Sequence, residues 1–340
     1  MTPWAAGLFW LLVAGVGQGI FPLPMKFTRR WKWEHLWFWY SLFAFLVLPF
    51  AIAVITVPHL LEVYKTSARG PLMLVAAFGL AWGIGSVFFG LGLDALGMAL
   101  GFPIMTGLTT ALGALIPLAV LTPELLVKRN GILTIAGNVV TIVGVAVCAM
   151  AGSERDRQRG SGFTQSILGP SRSFASALAI CILSGVFSAM FNFGYAFGTP
   201  IINAAVHGGA TQDNAVNVVW LVVLPAGGMA NILYCMHLLR RNRSGSILLR
   251  GHLVRDWMSA VSMAILWTGS VIVYGWGANA LGKLGPTLGW SLWNAILITS
   301  TVLCGVLTHE WHGVNGRPLR LLWWGILILI AGMFVLGAGV

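Results

Sequence analysis

The chain has 340 residues, of which 58% are hydrophobic and only 9% are charged. Soluble domains carry about a quarter charged residues because their surfaces face water, so this composition excludes an ordinary soluble protein. The formal net charge of +11 raises the alternative of a nucleic-acid-binding protein. The basic residues form short clusters that flank apolar runs, which excludes that alternative and fits a bilayer with an anionic leaflet.

Ten apolar segments are long enough to cross a bilayer as helices. About 20 residues are needed, because about 30 Å of hydrocarbon is crossed at about 1.5 Å per residue. The pattern therefore predicts an all-α polytopic membrane protein with ten transmembrane helices. The predicted helices cover residues 5–25, 36–57, 71–92, 97–121, 131–152, 174–199, 215–239, 256–277, 285–308 and 319–338.

The two halves of the chain repeat short motifs at nearly one spacing. The sequence GLGLDALG from Gly90 returns as GWGANALG from Gly275, and VLTPE ending at Glu124 returns as VLTHE ending at Glu310. Five helices per half is an odd number, so the halves enter the membrane in opposite orientations, which is a signature of transporters. We predict a first five-helix repeat over 1–152, a polar cytoplasmic linker over 153–173 and a second five-helix repeat over 174–340.

Lysine and arginine are distributed unequally between the two faces of the membrane. The loops after the first, fifth, seventh and ninth predicted helices hold fifteen of the 20, and the opposite loops hold five. The positive-inside rule then places the first face in the cytoplasm and both termini outside it. The four cysteines lie far apart inside apolar runs, which is typical of free thiols packed as small apolar residues.

Four stretches, taken in order, resemble the L-rhamnose/proton symporter family of the drug/metabolite transporter superfamily. They are PMKFTRRWKWEHLW from Pro24, AWGIGSVFFGLGLDALGMALG from Ala81, SGVFSAMFNFGYAFG from Ser184 and CGVLTHEW from Cys304. The resemblance covers nearly the whole chain. It implies ten helices in two inverted repeats, a bacterial inner-membrane location and import of a deoxyhexose driven by a proton gradient. The position of Ser86 is often an amide in this family, so the chain departs from the pattern there.

A carrier for a neutral sugar needs polar groups that replace the hydrogen bonds of water and an aromatic face for the C–H side of the ring. Gln18 lies among glycines, just before the prolines that break the first helix. Asn192, in the sixth helix, must be satisfied by protein or ligand in lipid. Asn294 shares a helix face with Trp290. The predicted sugar-binding residues are Gln18, Lys26, Trp82, Ser86, Asn192, Tyr274, Trp276, Trp290 and Asn294.

Each of these residues has a simpler structural alternative. Gln18 can form an interhelical hydrogen bond, and the aromatic residues can belong to the core or to the interfacial belt. Lys26 can be an ordinary positive charge at a helix end. The resemblance, which includes PMK, favours instead a lysine that turns inward to bind sugar or to pair with Glu34.

Proton coupling requires a titratable group near the core. Only nine residues are acidic and most lie in loops, so Glu34 and Asp94 become the candidates by elimination. Glu34 can instead be a first-turn carboxylate favoured by the helix dipole, and Asp94 a turn residue like its repeat partner Asn279. Protons are the expected coupling ion and no cofactor is expected. No His, Cys or Asp cluster has the spacing of a metal site.

Glu124 and Glu310 end helices symmetrically on opposite faces. They are either solvated or paired as gate charges with a basic residue close in sequence. The basic residues in question are Lys128, Arg129 and Arg317.

The leading interpretation is a secondary active transporter that imports L-rhamnose or a similar deoxyhexose in symport with protons by alternating access. Its partners are then a small-molecule sugar and the lipid bilayer. One alternative is a drug/metabolite-type carrier or exporter of another small metabolite, which would have the same fold. A second is a non-transporting membrane sensor, although no soluble domain is present. An enzyme is not expected, because no catalytic cluster stands out.

Overall fold

Long apolar segments form helices in lipid because a helix satisfies its backbone N–H and C=O groups within itself. The computed structural model describes residues 2–159, 174–249 and 254–339, and these ranges contain helices and turns but no strand. Their α-helices are α1 (Pro3–Ile20), α2 (Trp33–Leu42), α3 (Leu48–Thr56), α4 (Leu60–Thr66), α5 (Arg69–Leu121), α6 (Arg129–Gln158), α7 (Phe174–Ala196), α8 (Thr199–His207), α9 (Asn217–Arg241), α10 (Val254–Ala280), α11 (Trp290–Leu307) and α12 (Arg317–Gly337).

Ten segments of the described chain are long and apolar enough to span a membrane, which confirms the all-α, ten-helix prediction. Helices α1, α6, α9, α10, α11 and α12 each supply one span. Helices α2 and α3 together form the second span, and α7 and α8 together form the sixth. Helix α5 supplies both the third and the fourth.

Helix α5 reverses direction although its backbone hydrogen bonding stays helical, whereas two separate helices were predicted there. A Cβ atom placed on Gly101 would lie 3.1 Å from the carbonyl oxygen of Gly92. Residues nine apart in a straight helix are separated by about 13.5 Å. The spans Arg69–Leu93 and Gly101–Leu121 therefore fold back on each other. The sulfur of Cys181 in α7 packs against both glycines.

The fifth span is longer than predicted. Helix α6 continues to Gln158, six residues into the segment predicted as a linker, and the rest of that segment, 160–173, lies outside the described residues. Contacts with the loop before α12 hold the extension. The amide of Gln158 donates to the carbonyl oxygen of Asn315 at 3.2 Å, and the guanidinium of Arg159 donates to that of His312 at 2.7 Å.

Proline shapes the second span by removing a backbone N–H group. A π-type turn, Phe43–Val47, separates α2 from α3 just before Pro49. The carbonyl oxygen of Ala44, five residues before the proline, accepts a hydrogen bond from the hydroxyl of Thr268 in α10 at 3.0 Å. A neighbouring span thus supplies a donor that the bulged helix cannot, as buried backbone in a membrane requires.

Glycines bring the spans into backbone contact. Helix α1 packs against α10 through Gly7 and Gly277 and against α11 through Gly15. Helix α7 packs against both spans of α5, and Gly185 meets the fourth span. Helices α6 and α12 pack along two glycines from each, which are Gly137, Gly144, Gly325 and Gly332.

The two ends of the bundle differ in their contacts. We call one the basic end, because most of the lysine and arginine residues lie on this side. Loops 21–32 and 308–316 are at this end. At this end Lys26 contacts Glu310, and Asp256 binds the loop after α1. At the opposite end the amide of Asn279 donates to the carbonyl oxygen of Gln212 at 3.2 Å. The candidate functional residues lie between and around these two ends.

Candidate functional site: two cavities and the aromatic residues between them

A cavity of about 580 Å³ opens at the opposite end, between the fourth, sixth, eighth and ninth spans. We call it the opposite-end cavity; Pro117, Tyr195, Asn203, Lys283 and Pro286 are among the residues that line it. Tyr195 is only 7% exposed, it lines this cavity, and no hydrogen bond within the described residues involves its hydroxyl. A molecule in the cavity can supply a hydrogen-bond partner.

Asn192 joins four spans next to this cavity. It is fully buried, and its Nδ2 donates to the carbonyl oxygens of Gly113 at 2.8 Å and Pro286 at 2.6 Å. The hydroxyl of Tyr274 donates to its Oδ1 at 2.7 Å. The Gly113 carbonyl needs an outside donor because Pro117, four residues later, has no N–H. Since both sides of the amide are occupied, Asn192 holds the spans together rather than presenting an open group.

A chain of aromatic rings runs inward from the opposite-end cavity. The rings of Tyr195 and Tyr274 are 5.8 Å apart, and those of Tyr274 and Trp290 are 6.1 Å apart. Trp290 contacts Phe191 at 6.1 Å, and Phe191 contacts Trp82 at 5.1 Å. Three predicted site residues, Trp82, Tyr274 and Trp290, therefore converge. We call these five rings the aromatic chain; it fills the centre of the bundle.

A second cavity, of about 760 Å³, opens at the basic end between the second, third and seventh spans. We call it the basic-end cavity. Ser86, one helical turn beyond Trp82, lines it together with Glu34. Glu34 is 6% exposed, and its Oε1 accepts hydrogen bonds from the side chains of Asn242 at 3.0 Å and Ser244 at 3.3 Å. The two cavities share no lining residue, and the aromatic chain lies between them.

Lys26 does not pair with Glu34. It binds Glu310, whose other carboxylate oxygen faces Arg155 at 3.6 Å. Arg317 instead lies 3.9 Å from Glu154. Among the alternatives that the sequence left open, the pairing of Lys26 with Glu34 and that of Glu310 with Arg317 are therefore both wrong. The reason is that the short helix Leu23–Phe27 carries Lys26 towards the end of α11 instead of towards α2.

The remaining predicted residues are not part of the aromatic chain. Gln18 is 7% exposed, and its buried Oε1 has no hydrogen-bond partner among the described residues. Asn294 donates to the backbone carbonyl of Trp290 at 2.9 Å, within the same helix. Trp276 packs edge-on against a tryptophan of α1. The side chain of Asp94 lies outside the described residues.

Sequence reasoning missed four buried polar groups: Tyr195, Asn231, His35 and Asp256. Asp256 is 2% exposed, so it is more buried than Glu34, and it accepts the backbone N–H of Arg29 at 2.7 Å. Asn231 was detectable as an amide within an apolar run, whereas nothing local marked Asp256. In the described ranges no group of three His, Cys, Asp or Glu side chains could hold a metal ion.

Ten spans with a cavity at each end and a ring-filled centre define a membrane carrier. An open channel would need a continuous polar path instead. The comparison with known families agrees with this class. Residues 3–340 match the family described as "L-rhamnose-proton symport protein (RhaT)". The chain belongs to this family.

Curated relatives cover almost the same length. An L-rhamnose-proton symporter of Mannheimia succiniciproducens is 28% identical over 346 residues, with 98% of this chain and 97% of the relative covered. Proteins of the same name from Cronobacter sakazakii and Escherichia coli O1:K1 are 27% and 24% identical, with the same coverage. The likeness therefore extends over both halves of the chain.

Proposed function

We propose that the chain imports L-rhamnose, or a similar deoxyhexose, in symport with protons across a bacterial inner membrane. Family membership supports the substrate class. The observation that carries the mechanism is the pair of cavities at opposite ends, separated by the aromatic chain. Alternating access requires a central region that can open to either side as one repeat moves against the other.

The two halves, 1–152 and 174–340, are proposed to be inverted repeats joined by a cytoplasmic linker. The packing supports this. Span one meets spans eight and nine, as span six meets spans three and four, so exchanging the halves converts one set of contacts into the other. Spans five and ten meet each other, as their correspondence requires. By the positive-inside rule the basic end faces the cytoplasm and both termini lie outside it.

The proposed sugar site is the floor of the opposite-end cavity. Tyr195 offers an open hydroxyl there, and Tyr274 and Trp290 lie directly behind it with faces suited to the C–H side of a sugar. Asn192 positions these rings. Gln18 and Trp82 lie deeper in the bundle, where they would meet the sugar only after the aromatic chain separates. Ser86 lines the basic-end cavity, and Lys26 lies at the basic end.

Glu34 is the proposed proton-coupling residue. Of the two acidic side chains that the described spans bury, Asp256 receives backbone N–H groups of Arg29 and Arg30, which gives it a structural role. Glu34 instead borders a cavity from which protons can arrive. A buried carboxylate next to water is the arrangement that lets access control protonation.

Uptake of labelled L-rhamnose into proteoliposomes, with and without an inward proton gradient, tests the proposal. We expect accumulation that depends on the gradient. Uptake that ignores the gradient would contradict symport. Absence of uptake for every deoxyhexose, combined with transport of another metabolite, would favour the drug/metabolite-type carrier; absence of all transport would favour a sensor.

Replacing Glu34 by Gln should abolish gradient-driven accumulation but leave sugar exchange, because Gln keeps an acceptor for Asn242 and cannot release a proton. The measurement is accumulation against counterflow exchange in the same vesicles. Glu62→Gln is the matched control, since Glu62 is exposed on α4 and pairs only with His59 at 3.8 Å. Accumulation by Glu34→Gln equal to that of the control would remove Glu34 from the coupling mechanism.

A further inference from the structure

The basic-end cavity contains two hydrogen-bond acceptors that the protein leaves open. Both hydrogen bonds to Glu34 go to Oε1, and no side chain of the described residues donates to Oε2. Asn231 is 7% exposed, and its Nδ2 donates to the hydroxyl of Ser86 at 2.8 Å. Its Oδ1 receives no hydrogen bond within the described ranges. Neither oxygen is among the fully enclosed atoms without a partner, so both remain accessible to a bound molecule or to water that can donate to them.

Aromatic rings border these acceptors. The rings of Trp33 and Trp37 are stacked 5.2 Å apart with an angle of 17° between their planes, and Tyr234 meets Trp33 edge-on at 6.5 Å. All three residues line the cavity. An aromatic face beside open oxygen acceptors suits a molecule that has both an apolar C–H face and hydroxyl donors.

The charges of the cavity distinguish a neutral polyol from an anionic headgroup. Arg241 is exposed at the mouth and would attract a phosphate. The open atoms inside, Oε2 of Glu34 and Oδ1 of Asn231, are acceptors, and they would repel a phosphate oxygen. Hydroxyl groups can donate to both. A neutral saccharide therefore matches the buried part of the cavity, and a lipid phosphate matches only its rim.

We propose that the basic-end cavity is a second saccharide-binding site, distinct from the opposite-end cavity. It holds the sugar on the basic side of the aromatic chain. The Oδ1 of Asn231 accepts a hydrogen bond from a sugar hydroxyl there, and Trp33 and Trp37 pack against the apolar face of the sugar ring. The inference rests on the proposed function. The volume of about 760 Å³ leaves room for a hexose and water.

Sidedness of the Michaelis constant tests this site. In vesicles of defined orientation, L-rhamnose transport is measured once with sugar supplied at the basic end and once with sugar supplied at the opposite end. Asn231→Leu and Trp33→Ala should each raise KM about three- to ten-fold from the basic end, the range expected for one lost hydrogen bond or ring contact. KM from the opposite end should stay within two-fold.

Trp33→Ala is included because Trp33 is 42% exposed, so its replacement should not prevent the protein from folding. Asn217→Leu is the matched control for Asn231→Leu, because both residues lie in α9. Asn217 is buried and donates to the hydroxyl of Thr56 at 2.9 Å, but it lines neither cavity. It should change KM equally from both ends or not at all.

Three results would overturn the proposal. The first is a KM that changes equally from both ends in the Asn231 and Trp33 variants. The second is a KM that does not change in these variants. The third is a shift that occurs only in vesicles with anionic lipid, which would assign the cavity to a headgroup. If the unaltered protein transports no L-rhamnose in either direction, the proposed function fails instead, so the two failures are distinguishable.

Discussion

The same short motif lies in opposite surroundings at the two ends of the molecule. At the basic end, in VLTHE, Thr308 accepts a hydrogen bond from Lys26 at 2.6 Å, and Glu310 binds Lys26 and faces Arg155. At the opposite end, in VLTPE, Thr122 lines an open cavity, and its neighbour Glu124 forms no ion pair with any described residue. The contacts of the motif thus depend on which residues face it.

The facing residues differ in charge. The first span ends with Lys26, whereas the sixth span presents Ala196 and Phe197 to the opposite-end cavity. The ion pair of Lys26 with Glu310 is therefore one chemical difference between the two copies of the motif. The comparison teaches that a repeated sequence can form an ion pair at one end only, because an ion pair needs both partners.

The largest expected effect comes from breaking the junction on which both ends depend. Asn192→Leu leaves two backbone carbonyls and the Tyr274 hydroxyl without their partner. Interhelical hydrogen bonds in membranes contribute about 0.6 kcal/mol on average and at most about 1.7, so three of them total about 2 kcal/mol. We expect uptake of L-rhamnose to fall more than ten-fold, together with a lower unfolding temperature.

Tyr274→Phe removes one of the three bonds and keeps the ring, so it should give an intermediate loss of uptake. Asn203→Ala, at an exposed position of the opposite-end cavity, is the control and should unfold like the unaltered protein. Unaltered uptake by Asn192→Leu would show that the junction does not hold the two ends together.

A smaller effect is expected from breaking the ion pair between Lys26 and Glu310 at the basic end. Cys304 is partly accessible one turn before Thr308, and the other three cysteines are buried, so it reports on this end. Lys26→Gln should raise its rate of reaction with an impermeant maleimide about two- to five-fold, because a half-exposed ion pair contributes about 0.2–1 kcal/mol. Added salt should reduce the difference between the two proteins.

The control for Lys26 is Arg317→Gln. Arg317 lies 3.9 Å from Glu154 at the same end but ties α12 to α6 and does not involve the first span. Its Cys304 reactivity should match the unaltered protein. Equal reactivity in both variants would mean that the accessibility of Cys304 does not depend on Lys26.

The smallest effect is expected at the opposite end. The amide of Gln212 lies 3.5 Å from the Oδ1 of Asn279, and both groups are exposed, so water can replace this contact. Gln212→Ala should leave the KM for uptake within two-fold of the unaltered value. An increase of more than five-fold would show that polar contacts restrict this end as well and would weaken the comparison.

Residues that act locally were predictable from the sequence. The aromatic residues Trp82, Tyr274 and Trp290 were singled out and do converge, because buried aromatic side chains in helices that meet at the centre have few other places to pack. The partner of Lys26 was predicted wrongly, because the interpretation used residues nearby in the chain. Asp256 was missed because its burial depends on the loop after α1, which folds over it.

The sequence by itself determined the ten spans, because the length of each apolar run is measured against the thickness of a bilayer. It also indicated Asn192, since an amide in an apolar helix needs a partner. Only the tertiary structure decided which partners these groups have. Asn192 satisfies a carbonyl that Pro117 leaves open on another helix, and Lys26 reaches Glu310, 284 residues away. Such pairings depend on how helices pack, and helix packing brings together residues whose separation in the chain carries no signal.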